Sequence, residues 1–75
     1  MDRSAWPQGV RYSFLISGVL SDRVVAAFPE LEVSDVTTGD TTLYGRVAGP
    51  TDLRGLLARF DALGLTVIEM RRLTD

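Results

Sequence analysis

Two half-repeats of one design run through this chain, and their order constrains the fold more than any other feature of the sequence. Each half reads strand, helix, strand, because period-2 alternation of apolar residues gives way to helical spacing and back again. The predicted strands span 11–17, 31–37, 41–47 and 65–72, and the predicted helices span 21–28 and 50–63. These six elements account for nearly all of the sequence after residue 10.

The element order β-α-β-β-α-β is that of the ferredoxin-like split βαβ unit, an α+β fold. Right-handed crossovers put the fourth strand beside the first, so we expect an antiparallel sheet of order 4-1-3-2 with both helices on one face. Residues 1–10 lack periodicity and predict a flexible leader, which leaves 11–75 as one domain.

Local signals support these elements. Ser21 is a good N-cap for the first helix, and Gly64 is placed to end the second in a left-handed conformation. Gly45 predicts a close approach between the third strand and a helix above it. The alternating residues Tyr12, Phe14 and Ile16 and the helical stripe Leu53, Leu56, Leu57, Phe60 and Leu63 form the expected core.

Composition narrows the chemistry. The 75 residues include no Cys and no His, which excludes disulfides, thiolate chemistry and the usual soft-metal ligands, so no metal or cofactor is expected. The net charge of −2 argues against a nucleic-acid partner. No apolar run is long enough for a membrane span, and the expected location is cytoplasmic.

The sheet face opposite the helices carries the expected interface. Strand alternation assigns it Leu15, Tyr44, Arg46, Ile68 and Met70, an apolar patch with a polar rim. A domain of this size buries only a limited apolar surface on folding by itself. We therefore expect a second copy to cover this face in a homodimer. The function that follows is a non-enzymatic accessory or regulatory protein, which also contacts another protein through the same face.

Alternatives stay open for this sheet face and for Trp6. The apolar residues of this face could be scattered surface residues or the floor of a small-molecule pocket. A small enzyme or cyclase-like subunit would have to use Tyr44 and Arg46, since no catalytic pair has a diagnostic spacing. Trp6 either folds back onto the domain or anchors a partner, because Trp is enriched at the energetic centres of interfaces.

Two resemblances add expectations. The loop from Ser17 to Asp22 resembles the loop between the first strand and first helix of ACT domains, regulatory modules that bind amino acids or other small effectors at subunit interfaces. This resemblance implies an effector site near Gly18, Leu20 and Ser21. Residues 42–73 resemble small stand-alone proteins of actinobacteria, a likeness that supports the fold and implies no function.

Overall fold

The computed structural model describes residues 9–37 and 39–73, the side chains of residues 35 and 37 excepted. Its strands and helices occur in the predicted order: β1 Val10–Ile16, α1 Asp22–Ala26, β2 Glu32–Thr37, β3 Asp40–Val47, α2 Pro50–Ala62 and β4 Val67–Arg72. The strands form one antiparallel sheet of order β2-β3-β1-β4, which is the predicted order read from the opposite edge. β1 begins inside the segment predicted as a leader.

One core joins the sheet to both helices. The Phe60 ring on α2 stacks on Phe28 with centroids 4.6 Å apart and tilts against Phe14 on β1 at 5.3 Å. The stripe prediction is wrong at its last member, because Leu63 caps α2 and is 45% exposed. The buried cluster consists of Phe14, Ile16, Phe28, Leu31, Leu43, Val47, Leu56 and Phe60.

α1 begins as predicted and ends early. The Ser21 hydroxyl accepts a hydrogen bond from the Val24 N–H at 3.2 Å, which confirms the N-cap. The N–H groups of Ala27 and Phe28 donate to carbonyls three residues back, so the last turn tightens and the helix ends at Ala26. Phe28 still reaches the core from this turn.

The end of α2 sets the start of β4. Gly64 has a φ of +73°, and its N–H donates to the Asp61 carbonyl at 2.9 Å. The Leu65 N–H donates to the Phe60 carbonyl at 2.9 Å, which completes a Schellman motif. Because this motif uses the Leu65 N–H, β4 begins at Val67 and not at the predicted residue 65.

A register shift in β4 decides which residues face away from the helices. Val67 lies opposite Ile16 but Glu69 lies opposite Leu15, so Ile68 is an extra residue. Beyond the shift Met70 lies opposite the buried Phe14. The open-face positions expected for Ile68 and Met70 are therefore wrong, because one inserted residue exchanges the two faces of the strand beyond it.

Gly45 does permit a close approach, but not to a helix. A Cβ at this position would lie 2.6 Å from the Glu30 carbonyl oxygen and 2.9 Å from Leu31 Cδ2. The segment that leads into β2 therefore passes directly over β3, and only glycine leaves room for it.

Candidate functional site

The candidate site is the open face of the sheet, the side that carries neither helix. Its central row crosses all four strands: Glu32 lies opposite Tyr44, Tyr44 opposite Ser13, and Ser13 opposite Arg71. The row on one side contains Thr42, Leu15 and Glu69, and the row on the other contains Arg46 and Arg11. The face therefore alternates charged, hydroxyl and apolar side chains.

Tyr44 lies near the middle of this open face and is half-buried. Its hydroxyl donates a 3.3 Å hydrogen bond to the Glu32 carboxylate on the neighbouring edge strand. A wide depression of about 400 Å³ lies beside it, lined by Arg11, Ser13, Val33, Ser34, Tyr44 and Leu73. The site offers a rigid aromatic ring and hydroxyl groups on regular strands.

Arginine is the main charged component of the open face. Arg11 and Arg46 lie directly opposite each other on β1 and β3, and Arg71 lies on β4 beside Ser13. Glu32 and Glu69 lie on the two edge strands, Glu32 opposite Tyr44 on β3 and Glu69 opposite Leu15 on β1. Arg72 lies opposite Tyr12, so the adjacent Arg71 and Arg72 belong to different faces of the sheet.

The structure brings only part of the predicted interface together. Leu15, Tyr44 and Arg46 share the open face as expected. Met70 lies on the helix side, and Ile68 lies at the register shift, where it is 51% exposed. The predicted apolar patch does not form, because Glu69 and Arg71 take the positions assigned to apolar residues of β4. Trp6 lies outside the described residues.

Four residues of the open face were not among the interface residues predicted from the sequence. Arg11 is the first residue of the predicted strand 11–17 and alternates with Ser13 and Leu15, so that alternation alone would have found it. Glu32 is the cross-strand partner of Tyr44, a relation that needs the sheet register. Glu69 and Arg71 lie on the open face only because of the inserted residue in β4. No pattern in the sequence indicates that insertion.

The loop expected to hold an effector is bonded to the start of β3. The Gly18 N–H donates to the Asp40 carboxylate at 3.0 Å, and the Gly18 carbonyl accepts from the Thr41 hydroxyl at 2.8 Å. The Leu20 N–H donates to the same Thr41 oxygen at 3.2 Å, and Ser21 caps α1. A ligand would have to displace these hydrogen bonds, which argues against an effector site here.

A second depression, of about 300 Å³, lies beside α2 and contains an ion pair in its wall. Arg59 Nη1 lies 3.0 Å from Glu30 Oε2, donates to the Ala27 carbonyl at 3.0 Å and lies over the Phe28 ring. Partial burial raises the pKa of Glu30, but the hydrogen bond from Arg59, a backbone hydrogen bond at Glu30 and the charge of Arg59 together outweigh burial and lower that pKa. The pair links α2 to the turn before β2.

The candidate groups for metal binding or catalysis are the acidic side chains and the pair Tyr44 and Arg46. No group of three or more acidic side chains in residues 9–37 and 39–73 is arranged to hold a metal ion. Tyr44 and Arg46 lie two residues apart on the open face. The hydroxyl of Tyr44 makes an exposed hydrogen bond to Glu32. Over the same part of the chain, both helices are too short or too polar to cross a membrane.

Comparison with known proteins gives one match. A family model described as a domain of unknown function, DUF8691, covers residues 11–71, from the second residue of β1 almost to the end of β4. The curated proteins and the solved structures contain no match to the chain. No ACT-domain family is among these findings, so that resemblance stays a prediction. The matched range covers most of the chain, which therefore belongs to the DUF8691 family.

Proposed function

We propose that this chain is a non-enzymatic interaction module whose open sheet face binds a protein partner, in an accessory or regulatory role. The observation that carries the proposal is the central row of that face, in which Tyr44 and Ser13 lie between Glu32 and Arg71. Tyr and Arg are among the residues most enriched at the centres of protein interfaces. Strands hold these side chains in fixed positions, which favours selective binding.

The chemistry of the face indicates what kind of surface it would bind. Arg11, Arg46 and Arg71 present planar guanidinium groups suited to carboxylates, and Leu15 and Tyr44 supply apolar area between them. We therefore propose a partner surface that combines acidic side chains with at least one apolar side chain. The open depression beside Tyr44 is wide enough to accept such a side chain.

The proposal includes a ferredoxin-like fold. The element order and the sheet order β2-β3-β1-β4 support it, together with a core shared by both helices. The fold name carries no function, since unrelated activities use the same architecture. A cytoplasmic location stays a prediction.

Paired charge reversals on the two layers of the domain test the proposal. Three tagged forms of the chain are purified from the native host: the unsubstituted chain, Arg46→Glu and the control Arg54→Glu. The proteins retained with each tagged form, that is, those that co-purify with it, are then compared. Arg54 is exposed on α2, so both variants make the same change on different layers.

A retained protein is then purified and titrated against all three forms. We expect Arg46→Glu to weaken its binding about tenfold or more and Arg54→Glu to leave it unchanged, because only Arg46 lies on the open face. Equal loss in both variants, or loss in Arg54→Glu alone, would contradict the proposal.

A further inference from the structure

β4 is an edge strand that the domain leaves largely uncovered. Every residue from Ile68 to Arg72 is exposed, and the apolar side chains of Ile68 and Met70 are 51% and 41% exposed. Within the described part of the chain, no strand pairs with the outer edge of β4. An exposed edge with apolar side chains can pair with another strand.

The backbone of β4 shows which groups this edge presents. The Leu73 N–H donates to the Arg11 carbonyl at 2.8 Å, and the register of β4 against β1 continues to this pair, so Leu73 directs its N–H toward β1. Hydrogen-bonding direction alternates along an antiparallel strand, so Arg71 and Glu69 also direct their backbone groups toward β1. Met70 and Arg72 therefore direct their N–H and C=O groups outward.

The charges on β4 complement those of a second, antiparallel β4. Consider a two-fold axis perpendicular to the sheet that passes beside Met70. Met70 of one copy then lies opposite Met70 of the other copy. Glu69 of each copy lies opposite Arg71 of the other. Sheet faces are preserved, because Glu69 and Arg71 both belong to the open face and Met70 belongs to the other. An axis beside Glu69 or Arg71 would instead put like charges directly opposite, which is destabilising.

We propose that two copies of this chain pair through β4 in the register centred on Met70. The outward N–H and C=O of Met70 then exchange hydrogen bonds with the same groups of the other copy. The two sheets become one continuous sheet with both open faces on the same side. This differs from the homodimer expected through the open face, and it does not depend on what that face binds.

Charge exchange within β4 tests the pairing. Sedimentation equilibrium of the full chain measures the dimer dissociation constant for the unsubstituted protein, for Glu69→Arg and for Arg71→Glu. We expect each single variant to weaken dimerisation about tenfold or more, because each creates two like-charge pairs. The double variant Glu69→Arg with Arg71→Glu should restore the dissociation constant to within about threefold, and Arg54→Glu should leave it unchanged.

A backbone variant and a spectroscopic measurement complete the test. Met70→Pro removes an outward N–H that β1 does not use, so we expect a folded monomer by circular dichroism and sedimentation. In a mixed-label sample of the unsubstituted dimer, we expect an intermolecular NOE between the α-protons of Glu69 and Arg71. A monomer at millimolar concentration, a double variant that fails to recover, or an NOE between other residues would overturn the proposal.

Discussion

Thr41 and Gly18 lie 23 residues apart in sequence and are joined by a 2.8 Å hydrogen bond from the Thr41 hydroxyl to the Gly18 carbonyl. The same oxygen accepts the Leu20 N–H at 3.2 Å, and Thr41 is almost fully buried. Thr41→Val keeps the shape and leaves both backbone groups without this partner, so we expect a loss of about 1–3 kcal/mol in the free energy of unfolding. Urea denaturation measures it, and Thr42→Val on the open face, with an expected loss of under about 0.5 kcal/mol, is the control.

The helical phase of α2 makes a prediction about two adjacent leucines. Leu56 is buried in the core and Leu57 only packs against its margin. We expect Leu56→Ala to lower the free energy of unfolding by about 2–5 kcal/mol and Leu57→Ala to lower it by distinctly less, because the cavity at Leu56 cannot fill with solvent. A larger loss at Leu57 in chemical denaturation would mean that α2 is rotated from the orientation described.

Two glycines should respond to alanine with opposite signs. At Gly45 the added Cβ would meet the Glu30 carbonyl at 2.6 Å, so we expect Gly45→Ala to destabilise the domain by about 1–3 kcal/mol. At Gly55, inside α2, the added Cβ meets nothing within 4 Å, so Gly55→Ala should stabilise it by up to about 1 kcal/mol through helix propensity. Thermal unfolding of both variants gives the comparison, and a shift of the same sign in both would refute it.

The ion pair between Glu30 and Arg59 predicts a pH dependence. The pKa of Glu30 is lowered in the folded chain, so its contribution to stability is complete above its ordinary value of 4.5. That contribution is lost as pH falls through the lower, folded pKa. Glu30→Gln should therefore reduce the pH dependence of the unfolding free energy between about pH 5 and pH 3. Unchanged dependence in that window, measured against Asp61→Gln on the exposed surface of α2, would contradict the ion-pair assignment.

Substitution of Tyr44 should affect binding much more than folding. Its ring lies on the open face, outside the core cluster, and its hydroxyl makes an exposed hydrogen bond to Glu32. We expect Tyr44→Ala to keep a cooperative unfolding transition with a loss near 1 kcal/mol, and to weaken binding of the proposed partner about tenfold or more. Tyr44→Phe is the matched control, since it retains the ring and should retain most of the affinity. Cooperative unfolding that disappears in Tyr44→Ala would place this residue in the core.

The sequence predicts the local elements well because their signals are short-range. Ser21 caps α1 through its own side chain, and Gly64 ends α2 because its left-handed φ suits glycine. Strand alternation in β1 identifies Phe14 and Ile16 as core residues for the same reason. In each case a few neighbouring residues contain the physical cause.

The face of β4 could not be predicted, because its cause lies in tertiary pairing. Apolar residues occur on both sides of this strand, so periodicity does not choose between Met70 and Glu69 for the open face. The choice is made by the register shift at Ile68, which aligns Val67 with Ile16 and Glu69 with Leu15. One inserted residue therefore puts Glu69 and Arg71 on the candidate site in place of Ile68 and Met70.

The register of β4 against β1 is the relation on which the open face, the proposed partner and the proposed dimer all depend. Cross-strand NOEs between α-protons measure it directly, because these protons come closest in the pairs that do not exchange hydrogen bonds. We expect a strong NOE between the α-protons of Phe14 and Met70, which lie opposite each other on the helix side. A strong NOE between Met70 and either Ser13 or Leu15 would put Met70 on the open face and contradict the account.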